Sequence, residues 1–531
     1  MRTTTLATAG LLGLALLGPL TAANAEGETC RGEAATIVGT PANPALLGSD
    51  GVVGTEGRDV VVTNGAWKVS TLGGDDVICV TAGGTSTLKQ VVIDAGAGDD
   101  VVDGSTAPDW LVQAELGEGA DRFEGGAAGS SVHGAYADAA PADTERDVII
   151  GRDGPDGVHS GVVGQPNSDV IVLGAGDDSL VYGGVTASDG SIDGGTGVDE
   201  FFPSTLSAPG DTVIDNAAGR MLIDQQVVAT WTGLETFWTG TIGGYAIDFV
   251  GTAADETVYA KVSGRVRATL GAGDDSFLAD QAPRAGSVID GGDGRDHVYV
   301  TSESGLLDLD LRRGKLVADA GSPYTTAATG FEDGSLFARR VVVGGTDSRN
   351  ELRFSACDAR LRGRGGADTI VRSYDSLFES VFCPRFPKAH LSGGSGKDDL
   401  EGTFGRDVLL GGRGPDDLRG ENGNDVLRGG GGSDRLLGAR GVTACTDRRA
   451  RTSCTAASPG TGRTAGRAAR TCAGPSASGA ASADHPRGRC RRWWSGSSAE
   501  IWTSVARGSI RSLGRATRRG VDDAVRELIV R

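Results

Sequence analysis

The chain has 531 residues, of which 87 are glycine, whereas Gly makes up about 7% of an average protein. Aromatic residues are only 5% of the chain, which excludes thick packed cores throughout, and a helical bundle is disfavoured because Gly in a helix interior costs about 1 kcal/mol relative to Ala. The formal net charge of −19 disfavours nucleic acid as a partner and favours bound cations.

The first 25 residues have the pattern of a secretory signal peptide. Arg2 supplies the positive start, Leu6–Leu20 form a short apolar run, and Ala23 and Ala25 fit a small-x-small cleavage site. The apolar run is shorter than the roughly 20 residues that a membrane-spanning helix needs, and no second apolar run of that length follows. We therefore expect a secreted, extracellular protein without an integral membrane segment after removal of the signal.

Export permits disulfide bonds, and four of the eight cysteines precede residue 442. Cys357 and Cys383 are neighbours in sequence and flank one repeat unit, so we expect them to pair. This leaves Cys30 to pair with Cys79. No CxxC pair suggests zinc or redox chemistry.

Residues 26–392 contain an irregularly repeated motif in which a Gly-rich turn and an aspartate precede a short apolar run, as in GTEGRDVVV at Gly54–Val62. Several of these aspartates recur 21 residues apart, which predicts longer, irregular rungs. An isolated copy can also be a solvated acidic turn, so this alternative stays open. The apolar stretches Met221–Val250 and Leu306–Val343 are interpreted as further rungs and not as inserted enzyme domains.

Residues 393–441 are regular, with five consecutive nonapeptides that start at Gly393. Each has Gly at its fourth position, Asp at its sixth and Leu at its eighth. Gly permits a tight turn, and the alternation of side chains along a strand places the Leu on one face. Two nonapeptides therefore predict one coil of a parallel β-solenoid with a thin Leu core.

Stacked coils bring equivalent residues together every 18 positions. Asp398, Asp416 and Asp434 are expected along one edge, and Asp407 and Asp425 along the other. Adjacent strands lie about 4.8 Å apart and calcium takes oxygen ligands at about 2.3–2.6 Å, so one ion fits between two rungs. Turn carbonyls would complete its shell, and without a cation the same arrangement stacks like charges.

Residues 393–437 resemble the RTX, or haemolysin-type, repeat GGxGxDxUx, in which U is a large apolar residue. The resemblance implies an all-β parallel β-roll that binds Ca²⁺ through aspartates and backbone carbonyls, and it extends in degenerate form to the upstream motifs. The aspartates at the family's ligand position are Asp398, Asp407, Asp416, Asp425 and Asp434 in the regular array and Asp59, Asp76, Asp100, Asp121, Asp178, Asp199, Asp275, Asp296 and Asp368 upstream.

Residues 442–531 differ in composition from the rest of the chain, with 17 Arg, no Lys and 6 acidic residues. A basic arm that binds nucleic acid or an anionic surface, a disordered tail and a shifted reading frame are three interpretations. We expect disorder or a frame error, and we identify no terminal cap for the solenoid.

The sequence contains no HExxH, GxSxG or phosphate-binding loop. We therefore expect an exported calcium-binding protein without catalysis, whose fold is coupled to calcium. One alternative is a polysaccharide lyase, epimerase or hydrolase, which would need a groove with converging polar groups between Phe201 and Val381. Another is a surface adhesin or matrix component that contacts cell-surface or matrix polysaccharide.

Overall fold

The structure is a computed structural model. It describes residues 28–41, 51–83, 89–134, 144–187, 189–203, 210–241, 245–262, 264–302, 305–319, 321–373, 383, 387–441, 443–446 and 453–456. The predicted signal peptide at 1–25 lies outside the described residues, as does the basic tail from 457 onward.

The fold is all-β, and it is a parallel β-solenoid as the nonapeptides predicted. Each coil contributes one strand to each of two parallel ladders, which we call ladder A and ladder B. The chain divides into two compact units, unit 1 (1–178 and 187–195) and unit 2 (179–186 and 196–531). This boundary falls inside the segment 26–392, which we had expected to form one irregular solenoid. No helix in the described part of the chain is long and apolar enough to cross a membrane.

In unit 1, ladder A consists of strands Val52–Val53, Lys68–Ser70, Gln90–Asp94, Leu111–Glu115, Ser130–His133 and Gly157–Ser160. Ladder B consists of strands Ile37–Val38, Val60–Val62, Val77–Cys79, Val101–Asp103, Arg122–Glu124, Val148–Asp153, Val170–Ala175 and Ser191–Thr196, the last of which ends in unit 2. The remaining short strands are Thr29–Cys30, Glu33–Ala34 and Pro166–Asn167.

In unit 2, ladder A consists of strands Ser179–Tyr182, Glu200–Pro203, Thr236–Thr241, Thr257–Val262, Ser276–Ala279, Asp296–Thr301, Phe331–Phe337, Glu351–Ser355, Thr369–Arg372, Asp399–Glu401, Asp417–Arg419, Arg435–Gly438 and Ser453–Ala456. The parallel strands of ladder B are Thr212–Asp215, Ile247–Val250, Val266–Ala272, Val288–Asp293, Leu306–Asp310, Arg340–Gly344, Asp358–Gly365, Lys388–Ser395, Val408–Arg413, Val426–Gly431 and Ala444–Thr446. A short strand, Val185–Thr186, lies outside both ladders.

Two antiparallel meanders interrupt ladder B of unit 2. In one of them, Leu306–Asp310 is followed by the 3₁₀ helix Leu311–Arg313, and the chain returns along Lys315–Asp319 and Pro323–Thr329. The other has the same order and consists of Thr212–Asp215, the 3₁₀ helix Asn216–Ala218, Arg220–Ile223 and Gln226–Thr232. The two apolar stretches thus lie in the same sheet, as we expected, but they are not simple rungs because the chain reverses direction twice.

The meander that begins at Leu306 has a helix cap at its first reversal. Asp310 accepts a hydrogen bond from the Arg313 amide, and Gly314 takes the left-handed conformation with a φ of 58°. Asp215 and Gly219 have the same roles in the meander that begins at Thr212. An Asp and a Gly four residues apart therefore mark the point where each meander leaves the parallel ladder.

The nonapeptides stack in the predicted register. Leu400 pairs with Leu418 and Leu418 with Leu436 on ladder A, and Leu409 pairs with Leu427 on ladder B. All five side chains are buried, and full burial of a Leu side chain stabilises a fold by about 1.5–3 kcal/mol. The thin Leu core that the sequence predicted is therefore present.

The solenoid continues beyond residue 441, where we had predicted that it ends. Strands Ala444–Thr446 and Ser453–Ala456 extend ladders B and A in register. The nine-residue spacing persists although its letters change, because Thr443 takes the acidic position and Cys445 pairs with Leu427 at the inward position. Cys445 is buried and disulfide-bonded.

Two disulfides join the cysteine pairs expected from the sequence. Cys30 bonds to Cys79 and ties the strand Thr29–Cys30 to ladder B of unit 1. In unit 2, Cys357 bonds to Cys383.

Candidate metal centres

An acidic residue precedes most strands of ladder B in unit 1 and most strands of ladder A in unit 2, and these residues form columns along the edges of the solenoid. We call the residues before ladder A column A and those before ladder B column B. In column A of unit 2, the Asp398 amide donates to Oδ1 of Asp416, and the Asp416 amide donates to Oδ1 of Asp434, both at 3.1 Å. The predicted alignment of these three aspartates is therefore confirmed.

Column B of unit 2 has the same geometry on the opposite edge. The Asp407 amide donates to Oδ1 of Asp425 at 3.1 Å. Asp407 itself accepts from the Ala389 amide at 2.6 Å through its Oδ1. This pair also lies where the 18-residue period placed it.

In unit 1 the predicted aspartates form a continuous column B. The amides of Asp59, Asp76 and Asp100 donate to Oδ1 of the next aspartate at 2.6–2.8 Å. The column continues through two residues that the sequence analysis missed, because Asp121 donates to Asp147 and Asp147 to Asp169 at 3.0 Å. The signal for both was present in the strings RDVII and SDVIV, which lack the preceding Gly-rich turn.

The other upstream aspartates lie in column A. In unit 1, the Asp156 amide donates to Oδ1 of Asp178 at 2.7 Å. In unit 2, the Asp275 amide donates to Oδ1 of Asp296 at 2.9 Å, as their 21-residue spacing predicted. Asp368 donates in the same way to Asp398 at 3.0 Å.

Four members of column A in unit 2 were not expected as site residues because they are not aspartates. The Asp199 amide donates to Glu235, and the Asp296 amide donates to Glu332, both at 3.0 Å. Glu256 and Asn350 donate their amides to Asp275 and Asp368. Glu235 and Glu332 each follow a meander, where the longer Glu side chain still reaches the neighbouring rung.

The second carboxylate oxygen of many column residues is buried without a hydrogen-bond partner. Such an atom costs free energy unless a donor or a cation compensates it. In the described part of the chain this holds for Oδ2 of Asp76, Asp100, Asp275, Asp296, Asp368, Asp398, Asp416 and Asp425.

Oδ2 of Asp296, Asp368 and Asp416 faces both the first glycine of its own turn and a carbonyl oxygen of the next rung. A Cβ on Gly291 would lie 2.6 Å from Asp296 Oδ2 and 2.8 Å from the Gly330 carbonyl oxygen. A Cβ on Gly411 would likewise overlap Asp416 Oδ2 and lie 2.6 Å from the Gly429 carbonyl oxygen. Both atoms at each point are acceptors, so a cation can satisfy the two together.

Further carbonyl oxygens point from each turn toward the next rung. Gly412 and Gly414 have φ angles of 121° and 119°, and a Cβ on either would overlap the carbonyl oxygen of Gly394 or Gly396 below it. Among the described residues, no three His, Cys, Asp or Glu side chains surround one point. Calcium takes six to eight oxygen ligands, so backbone carbonyls would have to supply most of a shell, and the turns present them.

Burial raises the pKa of several column carboxyl groups, because the charged form loses its hydration. The pKa of Asp416 rises to about 7 through burial first and then through the charges of Asp398 and Asp434. Burial likewise raises the pKa of Asp100 and Asp156 to about 8, that of Asp368 and Asp425 to about 7, and that of Asp178, Asp275 and Asp296 to about 6. A bound cation would reverse this preference for the protonated form.

The comparison with known families agrees with this geometry. The family model of the RTX calcium-binding nonapeptide repeat matches four copies, over residues 91–111, 392–426 and 410–442. These segments contain Asp100 in unit 1 and the regular array in unit 2. No curated protein matches the chain. The chain thus carries repeats of the RTX calcium-binding nonapeptide type in both of its units.

Proposed function

We propose that the protein is exported and that Ca²⁺ bound between its stacked turns stabilises the solenoid. The observation that supports this most strongly is the series of buried Oδ2 atoms that have no hydrogen-bond donor, of which those of Asp296, Asp368 and Asp416 also face a carbonyl oxygen of the next rung. Buried Oδ2 atoms without a donor occur at successive rungs, as in Asp368, Asp398 and Asp416. An arrangement that consists of acceptors alone is stable only with cations or protons.

The two carboxylate oxygens of a column aspartate have different roles. Oδ1 of Asp416 accepts from the Asp398 amide and so fixes the carboxylate between two rungs, which leaves Oδ2 oriented toward Gly411 and Gly429. Bound calcium supplies the positive charge that compensates the buried carboxylates. The glycines keep the turn open to carbonyl oxygens, because a side chain there would fill the space.

The energetic effect of calcium is sufficient to control such a thin fold. Extracellular calcium modules bind with a Kd of about 10⁻⁴–10⁻³ M. At ten times Kd, one site stabilises the folded state by about 1.4 kcal/mol. Several sites together would approach the total stability of roughly 5–15 kcal/mol of an ordinary domain.

Calorimetric titration of the chain with CaCl₂ tests this function. We expect saturable binding of several ions per chain, and we expect Asp398→Asn to reduce their number because it removes a buried charged ligand. Asp399→Asn is the matched control, because the carboxylate of Asp399 lies on the outward face and pairs with Arg419. Such an exposed ion pair contributes little to stability. Absence of calcium binding, or equal effects of the two substitutions, would contradict the proposal.

We further propose that the protein acts without catalysis. A depression in the described part of unit 2 is lined by Asn216, Trp231, Glu235 and Thr252, among others. Glycoside hydrolysis usually needs two carboxyl groups, and Glu235 is the single titratable side chain in that lining. Glu235 already accepts the Asp199 amide. We expect no turnover of polysaccharides in a reducing-sugar or lyase assay, and sustained turnover that Glu235→Gln abolishes would contradict this.

A further inference from the structure

The turns of the solenoid are of two kinds, and the difference lies in their second residue. In most turns that residue has a positive φ, as in Gly394 at 117°, Gly412 at 121° and Arg364 at 81°. In four other turns it is a threonine, Thr55, Thr252, Thr346 or Thr403, which lies outside the left-handed region that β-branched residues avoid. The two backbones present different groups to the acidic residue.

The Thr403 turn satisfies its aspartate completely. The Thr403 amide donates to Asp407 Oδ2 at 2.7 Å, and the Thr403 hydroxyl lies 3.0 and 3.1 Å from the two carboxylate oxygens. The Ala389 amide occupies Oδ1, and the Gly405 amide donates back to the hydroxyl at 3.1 Å. Neither oxygen of Asp407 is without a partner.

The Thr55 turn repeats this arrangement in unit 1. The Thr55 amide and hydroxyl donate to Asp59 Oδ2 at 2.7 and 3.0 Å, and the Gly57 amide donates to the hydroxyl at 3.2 Å. The Thr36 hydroxyl lies 3.2 Å from Oδ1. Asp59 therefore also has partners on both oxygens.

The Thr346 turn shows that this arrangement needs no charge. Its acidic position holds Asn350, whose Oδ1 accepts from the Thr346 amide at 2.7 Å. The Asn350 Nδ2 group donates to the Glu332 carbonyl and to the Thr346 hydroxyl. A neutral side chain thus fills the position that carries a buried carboxylate in the turns of Asp368 and Asp398.

The glycine turns lack these donors. Oδ2 of Asp368, Asp398 and Asp416 has no hydrogen-bond partner, although each residue is at most 3% exposed. The Thr252 turn is intermediate, because Glu256 accepts from the Thr252 amide with one oxygen while its Oε2 has no partner.

We propose that calcium binds at the glycine turns and not at the Thr55, Thr346 and Thr403 turns, in which threonine replaces the metal. The inference rests on the proposed calcium-binding function and refines its ligand set. It removes Asp59 and Asp407 from the expected ligands, because an ion would have to displace existing hydrogen bonds there. Asp59 and Asp407 are followed in their columns by Asp76 and Asp425, so these two threonine turns form metal-independent positions beside calcium-dependent turns.

Conversion of one kind of turn into the other tests the inference. Thr403→Gly gives the turn the sequence GGFGRD, removes the hydroxyl donor and permits the positive φ of the glycine turns, so we expect it to add one bound calcium per chain in calorimetry and native mass spectrometry. Thr403→Ser keeps the hydroxyl and is the matched control, with an unchanged number. Asp407→Asn is expected to leave the calcium number unchanged, whereas Asp416→Asn reduces it.

Thermal unfolding provides a second readout that does not depend on counting ions. Thr403→Val keeps the shape but removes the hydroxyl, so we expect it to lower the Tm equally in calcium and in EGTA. Calcium binding by the wild type together with loss of a site in Asp407→Asn would overturn the inference and leave the proposed function standing. A wild-type chain that binds no calcium would overturn both.

Discussion

At the scale of single residues, the first glycine of each turn has a steric function that its sequence position alone explains only in part. Glycine at this position permits a tight turn, and the structure also shows which atom a side chain would contact there. A Cβ on Gly411 would overlap Asp416 Oδ2, whereas a Cβ on Gly431 meets only the Gly412 carbonyl oxygen, at 3.9 Å. Two glycines on adjacent strands of ladder B therefore differ in what they tolerate.

Gly411→Ala is expected to destabilise the calcium-bound protein by about 1–3 kcal/mol, the usual cost of overpacking, because the methyl group displaces the ligand oxygen. Gly431→Ala adds the same methyl group in open space and should change stability little. Urea unfolding in saturating calcium measures both. Equal losses in the two variants would show that the glycines serve backbone freedom only.

The sequence predicted the acidic positions where the nine-residue pattern is intact, and it missed them where another residue type has the same function. The repeat pattern identified Asp416 and Asp425, but it did not identify Glu235 and Asn350. The reason is that a column position is defined by its hydrogen bond to the next rung, which Glu and Asn can also make. Only the register of the strands shows this.

At the scale of the elements, each rung buries very little, so every inward side chain matters. Leu409 is fully buried in the core, while its neighbour Leu410 lies half-buried on the outward face of the same strand. Alternation along the strand predicted this difference from the sequence. The stability of a solenoid is the sum of such rung contributions and of the contacts between neighbours.

Leu409→Ala is expected to lower the free energy of unfolding by about 2–5 kcal/mol, the range for a Leu deleted from a packed core. Leu410→Ala, one residue later, should cost less than about 1 kcal/mol. Denaturant titration at fixed, saturating calcium separates the effect of packing from that of the metal. A larger loss for Leu410→Ala would mean that the assigned register is wrong.

The residue pattern did not predict the meanders or the last rungs, and the reason is physical. Alternation predicts a strand but not its direction, so the stretch Leu306–Val343 could not reveal two reversals. The rungs after residue 441 lack the Asp and Leu of the repeat but keep its nine-residue spacing. Thr443 and Cys445 occupy the positions of the Asp and the Leu. Both features follow from packing between rungs, which local patterns do not specify.

At the scale of the whole molecule, the carboxyl groups make stability depend on pH, with a sign that calcium should reverse. The pKa values of Asp100, Asp416 and Asp275 are raised to about 8, 7 and 6, above the unfolded value of about 3.9. The calcium-free fold binds protons more tightly than the unfolded chain does. Its stability is therefore greatest below pH 4 and falls as the pH rises through 6–8.

We expect the Tm in EGTA to decrease between pH 4 and pH 8. In saturating calcium the Tm should instead decrease on acidification, because protons compete with the ion for the same oxygens. Differential scanning calorimetry across this range measures both series. A calcium-free Tm that rises toward pH 8 would contradict the buried, uncompensated state of these carboxyl groups.

The central claim is that the stacked acidic turns hold calcium and that the fold depends on it. Far-ultraviolet circular dichroism during thermal unfolding, in calcium and in EGTA at pH 8, tests this most directly, with magnesium as the control ion. The account predicts a folded β spectrum with a high Tm in calcium and a lost or strongly destabilised one in EGTA. Identical β spectra and equal Tm values in both buffers would contradict it.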